Sequence, residues 1–189
     1  MSVINLAERK NLLKQFQNLE REKELGIDIV REKARQMILQ HMSATNERID
    51  SSLIIYTARG EEVKIASLLK AGEKLILRIP LNSCGLCYDQ SLKVMNEMVH
   101  IIGKEDLIVL LPKSRGREFT TFFKENNCVD LQFFYTDDDF KISILDNNGI
   151  PFFFTTSPDL ICRNHLFLEK DPDDFIFKYL IFIKENVIL

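Results

Sequence analysis

Two cysteines three positions apart, in Cys84-Gly85-Leu86-Cys87, are the residues of this chain with the most obvious chemistry. They open a segment in which Leu92, Met95, Val99 and Ile102 recur at helical spacing and Gly103 supplies a stop. Residues i and i+3 of a helix share a face about 5–6 Å apart, within reach of a disulfide. The N-terminus of a helix carries partial positive charge and unpaired N–H groups, and both favour the thiolate, which is the reactive form of sulfur. Cys84, at the helix mouth, is therefore expected to be exposed and to attack. Cys87, one turn in, is expected to be shielded and to resolve the mixed disulfide. Zinc is the competing use of such a pair, but a structural zinc site wants four ligands. There is no second C-x-x-C and no His-x(3–5)-His, and Cys128, Cys162 or His165 would contribute only if the fold carried them to the pair.

The elements that must position the pair follow from the patterning. Lys74 to Ile79 is an apolar run that reads as a buried strand ending at Pro80, whose missing N–H suits a strand end. After the helix, Leu107 to Leu111 is a second such run, closed by Pro112. Ser114 to Asn127 reads as a helix, Val129 to Tyr135 as a strand, and Asp137 to Leu145 as a short helix with its acidic cluster at the N-terminal end. Pro151 to Thr156 and Leu160 to Leu168 read as strands joined by the tight connection Ser157-Pro158-Asp159, hence antiparallel, and Asp173 to Asn186 as a terminal helix. Upstream, Leu53 to Ile65 reads as a strand, a turn at Arg59-Gly60 and a second strand. Strands alternating with helices predict an α/β layered fold around a central sheet. Residues 1–50 differ in composition: Glu, Lys, Arg and Gln dominate, and Leu12, Phe16 and Leu19, then Val30, Ala34, Met37 and Ile38, mark helical stripes on either side of Gly26. The expected division is a helical arm over 1–50, with self-association through that helix as one use of it, and an α/β domain over 51–189.

A length of 189 residues suggests one domain, or one domain plus an arm. Basic and acidic residues number 25 and 28, a balance that removes the electrostatic case for binding nucleic acid. No apolar run approaches the ~20 residues of a membrane span, and no secretory leader pattern is visible. Trp is absent while Phe occurs 14 times, so the aromatic part of the core is built from Phe.

The strand, loop, C-x-x-C and helix, followed much later by Gly149-Ile150-Pro151-Phe152 entering a strand, resemble the thioredoxin fold. The front hairpin and the added segment Val129 to Leu145 look like the TlpA-like (AhpC/TSA-related) redoxins, and the resemblance spans roughly 51–189. It implies a three-layer sandwich with a central mixed sheet, to which the N-terminal helix is an addition. It also implies a thiol:disulfide oxidoreductase with Cys84 as nucleophile and Cys87 as resolving thiol. Pro151 matches the cis-proline that sits beside the sulfurs, and the backbone of Ile150 would pair with a bound peptide. The implied partners are protein thiols or disulfides and a second redox protein; no metal or organic cofactor is required, because the dithiol carries two electrons. TlpA-like relatives work outside the cytoplasm behind a signal or anchor, so an extracytoplasmic, periplasmic location is one expectation and a cytoplasmic one the alternative.

The sequence departs from that pattern at three places. Ser83 stands where the family has Trp, Arg78 where thioredoxins often place a buried acid, and Gly-Leu where Gly-Pro is usual. A non-catalytic binding protein on the same fold therefore stays open. A peroxidase-like redoxin is the less favoured option, because Leu81 occupies the position of its Thr and Pro80 matches only its Pro weakly. Cys128 and Cys162, flanked by strand residues, read as buried apolar side chains, and His165 as structural or surface. The cluster Lys113-Ser114-Arg115-Gly116-Arg117 reads as solvated loop charge, since it lacks the P-loop pattern. The Asp137-Asp138-Asp139 run lacks the EF-hand pattern.

Overall fold

Three consecutive strands run parallel at the centre of the sheet, and the first two are buried on both faces, as strands between two layers must be. The computed structural model describes residues 47–83, 85–128, 130–137, 149–168 and 173–188, with the backbone alone for Leu86, Cys87 and 173–175. The central strands are β3 (Lys74–Arg78), β4 (Leu107–Pro112) and β5 (Gln132–Thr136). Every residue of β3 and β4 is buried. Four further strands complete the sheet: β1 (Ile54–Tyr56), β2 (Glu62–Lys64), β6 (Phe152–Thr156) and β7 (Arg163–Phe167). The order is β2-β1-β5-β4-β3-β6-β7. β3, β4 and β5 are mutually parallel, while β6 lies antiparallel to β3, and β7 to β6. At the other side β1 is antiparallel to both β5 and β2.

The helices are α1 (Ile65–Leu68), α2 (Gly85–Ile102), α3 (Gly116–Glu125) and α4 (Asp173–Asn186). The period-two alternation of the strands divides the core into two layers. Leu75, Leu77, Val109, Leu111 and Phe153 face Leu92, Met95 and Val99 of α2, Phe119 and Phe123 of α3, and Ile176, Leu180 and Ile183 of α4. Ile76, Ile108, Leu110, Phe152 and Phe154 face the other way, onto Ile49, Ile55, Ile65, Leu69 and Leu160. This is the layered α/β architecture with a central mixed sheet that the patterning predicts. The helix expected within residues 2–46 and the short helix expected over 137–145 fall almost wholly outside the described residues. The strand expected over 160–168 is shorter than its apolar pattern. It is preceded by an isolated bridge, Arg48 to Ile161, and by left-handed backbone at Leu160.

Residues 47–49, which the composition assigns to the arm, are paired with the segment before β7. Ile49 N–H donates to Leu160 O at 2.9 Å, and Cys162 N–H donates to Glu47 O at 2.9 Å. The Glu47 carboxyl is partly removed from water, and its Oε2 has no hydrogen-bond partner among the described residues. Burial pushes its pKa up from the ordinary glutamate value. A raised folded-state pKa means that the penalty is absent below the usual glutamate range and appears as pH rises through and above it. Glu47→Gln is therefore expected to raise stability slightly at neutral pH, since solvent still screens much of the side chain. In urea titrations of both proteins the difference should vanish below about pH 4.

Candidate active site

The chain leaves β3 at Arg78 and makes a short passage before α2 begins at Gly85. Ile79 N–H still donates to Leu110 O at 3.0 Å, so the ladder runs one residue past the strand. Ser83 N–H then donates to Pro80 O at 3.2 Å and closes a turn. Cys84 lies outside the described residues. Cys87 is helical by backbone, the third residue of α2, as the apolar spacing predicts. The motif thus begins at the carboxyl end of the central parallel strands, where open α/β sheets present their binding crevice.

A distant segment arrives at the same place. In the antiparallel pairing of β3 with β6, Arg78 stands opposite Phe152, so residues 149–151 run alongside the passage that leads from β3 to Cys84. Gly149 has φ +63°, and a Cβ there would stand 3.4 Å from both Cβ and O of Asn82. The left-handed backbone is the demand that glycine meets without strain. Pro151 is buried and Ile150 half-buried. No peptide bond among the described residues is cis, so the Ile150–Pro151 bond is trans, in contrast to the cis bond that the resemblance implies. Trans is the isomer that X–Pro ordinarily favours, by about 0.5–1 kcal/mol. The Pro151 carbonyl accepts from Leu168 N–H at 2.8 Å, continuing the β6–β7 ladder.

No protein-family model matches the chain, and no curated protein matches it. Solved structures do. A secreted Mycobacterium tuberculosis disulfide oxidoreductase homologous to E. coli DsbE superposes with TM-score 0.50 at 11% identity, over 69% of this chain and 95% of that one. BsSco, of the Sco family of cytochrome c oxidase assembly proteins, gives TM-score 0.51 at 14% identity, over 75% and 95%. The peroxidoxin BcpB of Mycobacterium tuberculosis gives 0.52 at 11%, over 74% and 97%. This is a thioredoxin fold.

Within the thioredoxin fold of this chain, the residue that grips the motif is one the sequence reading assigns to solvent. Arg115 closes the 3-10 turn between β4 and α3. Its Nη1 donates to Leu81 O at 3.1 Å and to Ser83 O at 3.0 Å. Its Nη2 donates to Tyr88 Oη at 3.1 Å and to Glu118 Oε1, and its Nε donates to Glu118 Oε2 at 2.8 Å. The Tyr88 hydroxyl in turn donates to Glu118. The guanidinium also lies 5.4 Å from the Tyr88 ring centroid and 5.3 Å from that of Phe119. Hydrogen bonding to Arg115 holds the Glu118 carboxyl below its ordinary range, and the same bond raises the pKa of Arg115. Burial, reinforced by the hydrogen bond and charge of Glu118, pushes the Tyr88 phenol up to about 12, so it stays a neutral donor. Two features of the sequence bear on this cluster: the i,i+3 spacing of Arg115 and Glu118, and an aromatic hydroxyl directly after Cys87.

The departures from the family pattern are equally concrete. Arg78 is fully buried and donates through Nη1 to Thr136 Oγ1 at 2.8 Å, across the sheet to β5. Ser83 is buried, and its Oγ has no hydrogen-bond partner among the described residues. The remaining sulfurs lie in different layers, Cys128 with the α2–α4 side of the core and Cys162 with the opposite side. Burial raises both thiols, Cys162 to about 12. Buried and raised in this way, both should stay unmodified by a thiol reagent in native, reduced protein until denaturant is added. Peptide mapping after alkylation checks this directly. His165 is buried between Phe154 and Phe167, with ring centroids 6.1 and 6.4 Å away, which is a packing position. Asp137 is exposed and lies 3.7 Å from Lys113 Nζ, while Asp138 and Asp139 fall outside the described residues.

Proposed function

We propose that this protein is a thiol:disulfide oxidoreductase that works through Cys84 and Cys87. The observation that supports the reading is that the Gly149–Pro151 segment runs beside the passage that leads from β3 into the C-x-x-C motif, at one end of a thioredoxin-fold sheet. The Cys84 thiolate attacks one sulfur of a substrate disulfide, a Cys84–substrate disulfide forms, and the displaced sulfur leaves as a thiolate and takes up a proton. Cys87, deprotonated, then attacks Cys84 Sγ, releases the second substrate thiol and leaves a Cys84–Cys87 disulfide. Two electrons have passed to the substrate, and a dithiol protein must return them. The same steps run backwards if the partner is the stronger reductant, so the potential of the couple sets the direction.

On this reading Ile150 and Pro151 form the wall against which an extended substrate segment lies, and the flanking sheet edge supports backbone pairing. Its partners are protein thiols and disulfides. We assign its work to an extracytoplasmic compartment, a choice supported by the secreted oxidoreductase among the structural neighbours. No described helix is long and apolar enough to cross a membrane. The peroxidase reading is weaker, because residue 81 is Leu and it meets Arg115 through its carbonyl rather than through a side-chain hydroxyl.

The test is a redox titration in glutathione buffers, read by mapping the Cys84–Cys87 disulfide, beside an insulin-reduction assay. A reversible two-electron couple with turnover of insulin or of glutathione mixed disulfides is the expected result. A pair that stays dithiol or disulfide across the range and exchanges with neither would overturn the reading in favour of a binding protein on the same fold.

A further inference from the structure

Arg115 uses three of its five N–H donors on the two ends of the C-x-x-C motif and the other two on Glu118. A guanidinium offers five donors in a fixed planar fork. Here two of them hold Leu81 O and Ser83 O, on the passage into the motif, and one holds Tyr88 Oη, on the residue after Cys87. The remaining two are taken by Glu118, which fixes the fork in its plane. The Ser83 carbonyl and the Cys84 N–H belong to one peptide unit, and that unit is planar. Arg115 therefore holds the carbonyl through which the passage enters the motif. The side chain of Arg115 is only 19% exposed, so the grip is shielded from competing water.

We propose that Arg115, anchored by Glu118 and Tyr88, is the positioning residue that holds both flanks of the motif and so sets the reactivity of Cys84. This rests on the reading of Cys84 as the nucleophile. The grip works through geometry, since the positive charge of Arg115 is balanced by the carboxylate of Glu118 a hydrogen bond away. A lysine keeps the charge but presents a single ammonium, which cannot span two carbonyls, a phenol and a carboxylate at once.

The experiment measures the rate at which Cys84 of the full, reduced chain is alkylated by iodoacetamide from pH 5 to 9, read by peptide mapping. Four proteins are compared: wild type, Arg115→Met, Arg115→Lys and Glu118→Gln. Both Arg115 variants should lose about tenfold in rate at pH 7, and the pH midpoint of Cys84 should rise by about one unit. Glu118→Gln should shift the same way by a smaller amount, because it loosens the fork. Continued protection of Cys128 and Cys162 in each variant confirms that the core is intact. Wild-type behaviour of Arg115→Lys, or faster alkylation in Glu118→Gln, would mean that net charge near the motif is what matters, and the positioning role falls. Unchanged Cys84 in Arg115→Met also overturns it, while the redox function stands. If wild-type Cys84 reacts no faster than a free thiol, with a midpoint near about 8.5, the functional reading itself fails and the role of Arg115 goes with it.

Discussion

Cys84→Ser should reduce disulfide exchange to the level of protein-free buffer, and Cys87→Ser should instead trap the substrate. The two effects differ because the two sulfurs act at different steps. A serine hydroxyl is not deprotonated at neutral pH and is no nucleophile towards a disulfide, so without Cys84 no mixed disulfide forms. Without Cys87 the first attack still occurs, but no intramolecular thiolate releases the product, and a covalent protein–substrate adduct accumulates. Non-reducing electrophoresis after incubation with a disulfide substrate separates the outcomes. Adducts in Cys87→Ser that disappear in the double variant assign attack to Cys84. Full turnover in Cys84→Ser would show that the nucleophile lies elsewhere.

The second large effect is on stability. Lys74 begins β3 with a side chain only 5% exposed, and its Nζ sits 2.8 Å from Asp106 Oδ1 in the 3-10 turn that leads into β4. Asp106→Ala leaves a buried ammonium without its counter-charge, which is costly in a way that losing an exposed pair is not. Asp106 is itself 32% exposed, so solvent screens one side of the pair and the expected loss is about 2 kcal/mol, or roughly 4–8 °C in Tm for a domain of this size. The companion variant Lys74→Met/Asp106→Ala removes both charges, and its apolar replacement is suited to a position inside the sheet. It should recover most of the loss, because a buried pair contributes little beyond balancing its own desolvation. Thermal melts of the two single variants and the double variant form a cycle. Equal destabilisation of Asp106→Ala and the double variant would refute the account.

The strands of the core were legible because their burial forces a pattern. Lys74 to Ile79 and Leu107 to Pro112 are dominated by apolar residues without a period-two polar face, the pattern of a strand buried on both sides. The C-x-x-C helix was legible from its period, and the approach of the Gly149–Pro151 segment from a family likeness. What the sequence concealed are relations that depend on which side chain faces which. Arg115 sits in a run of basic residues that reads as solvent-exposed charge. Only the topology, which carries the turn after β4 to the passage after β3, turns it into a clamp. Arg78, which stands where thioredoxins often place a buried acid, is fully buried and donates to Thr136 on β5, a partner its sequence position did not indicate. The end of the arm was blurred because Glu47 and Arg48 are polar, although residues 47–49 pair with the segment before β7.

β3 has β4 on one side and β6 on the other, and β6 comes from far later in the chain. During vectorial synthesis the sulfur-bearing turn therefore emerges well before the strand that seals its second flank. Until residues 152–156 have been made, one hydrogen-bonding edge of β3 stays open, and the nascent chain exposes both that edge and a pair of thiols. Long-range closure of this kind is slow relative to local helix formation. The interval is when mispaired sulfurs and strand-to-strand association compete with folding.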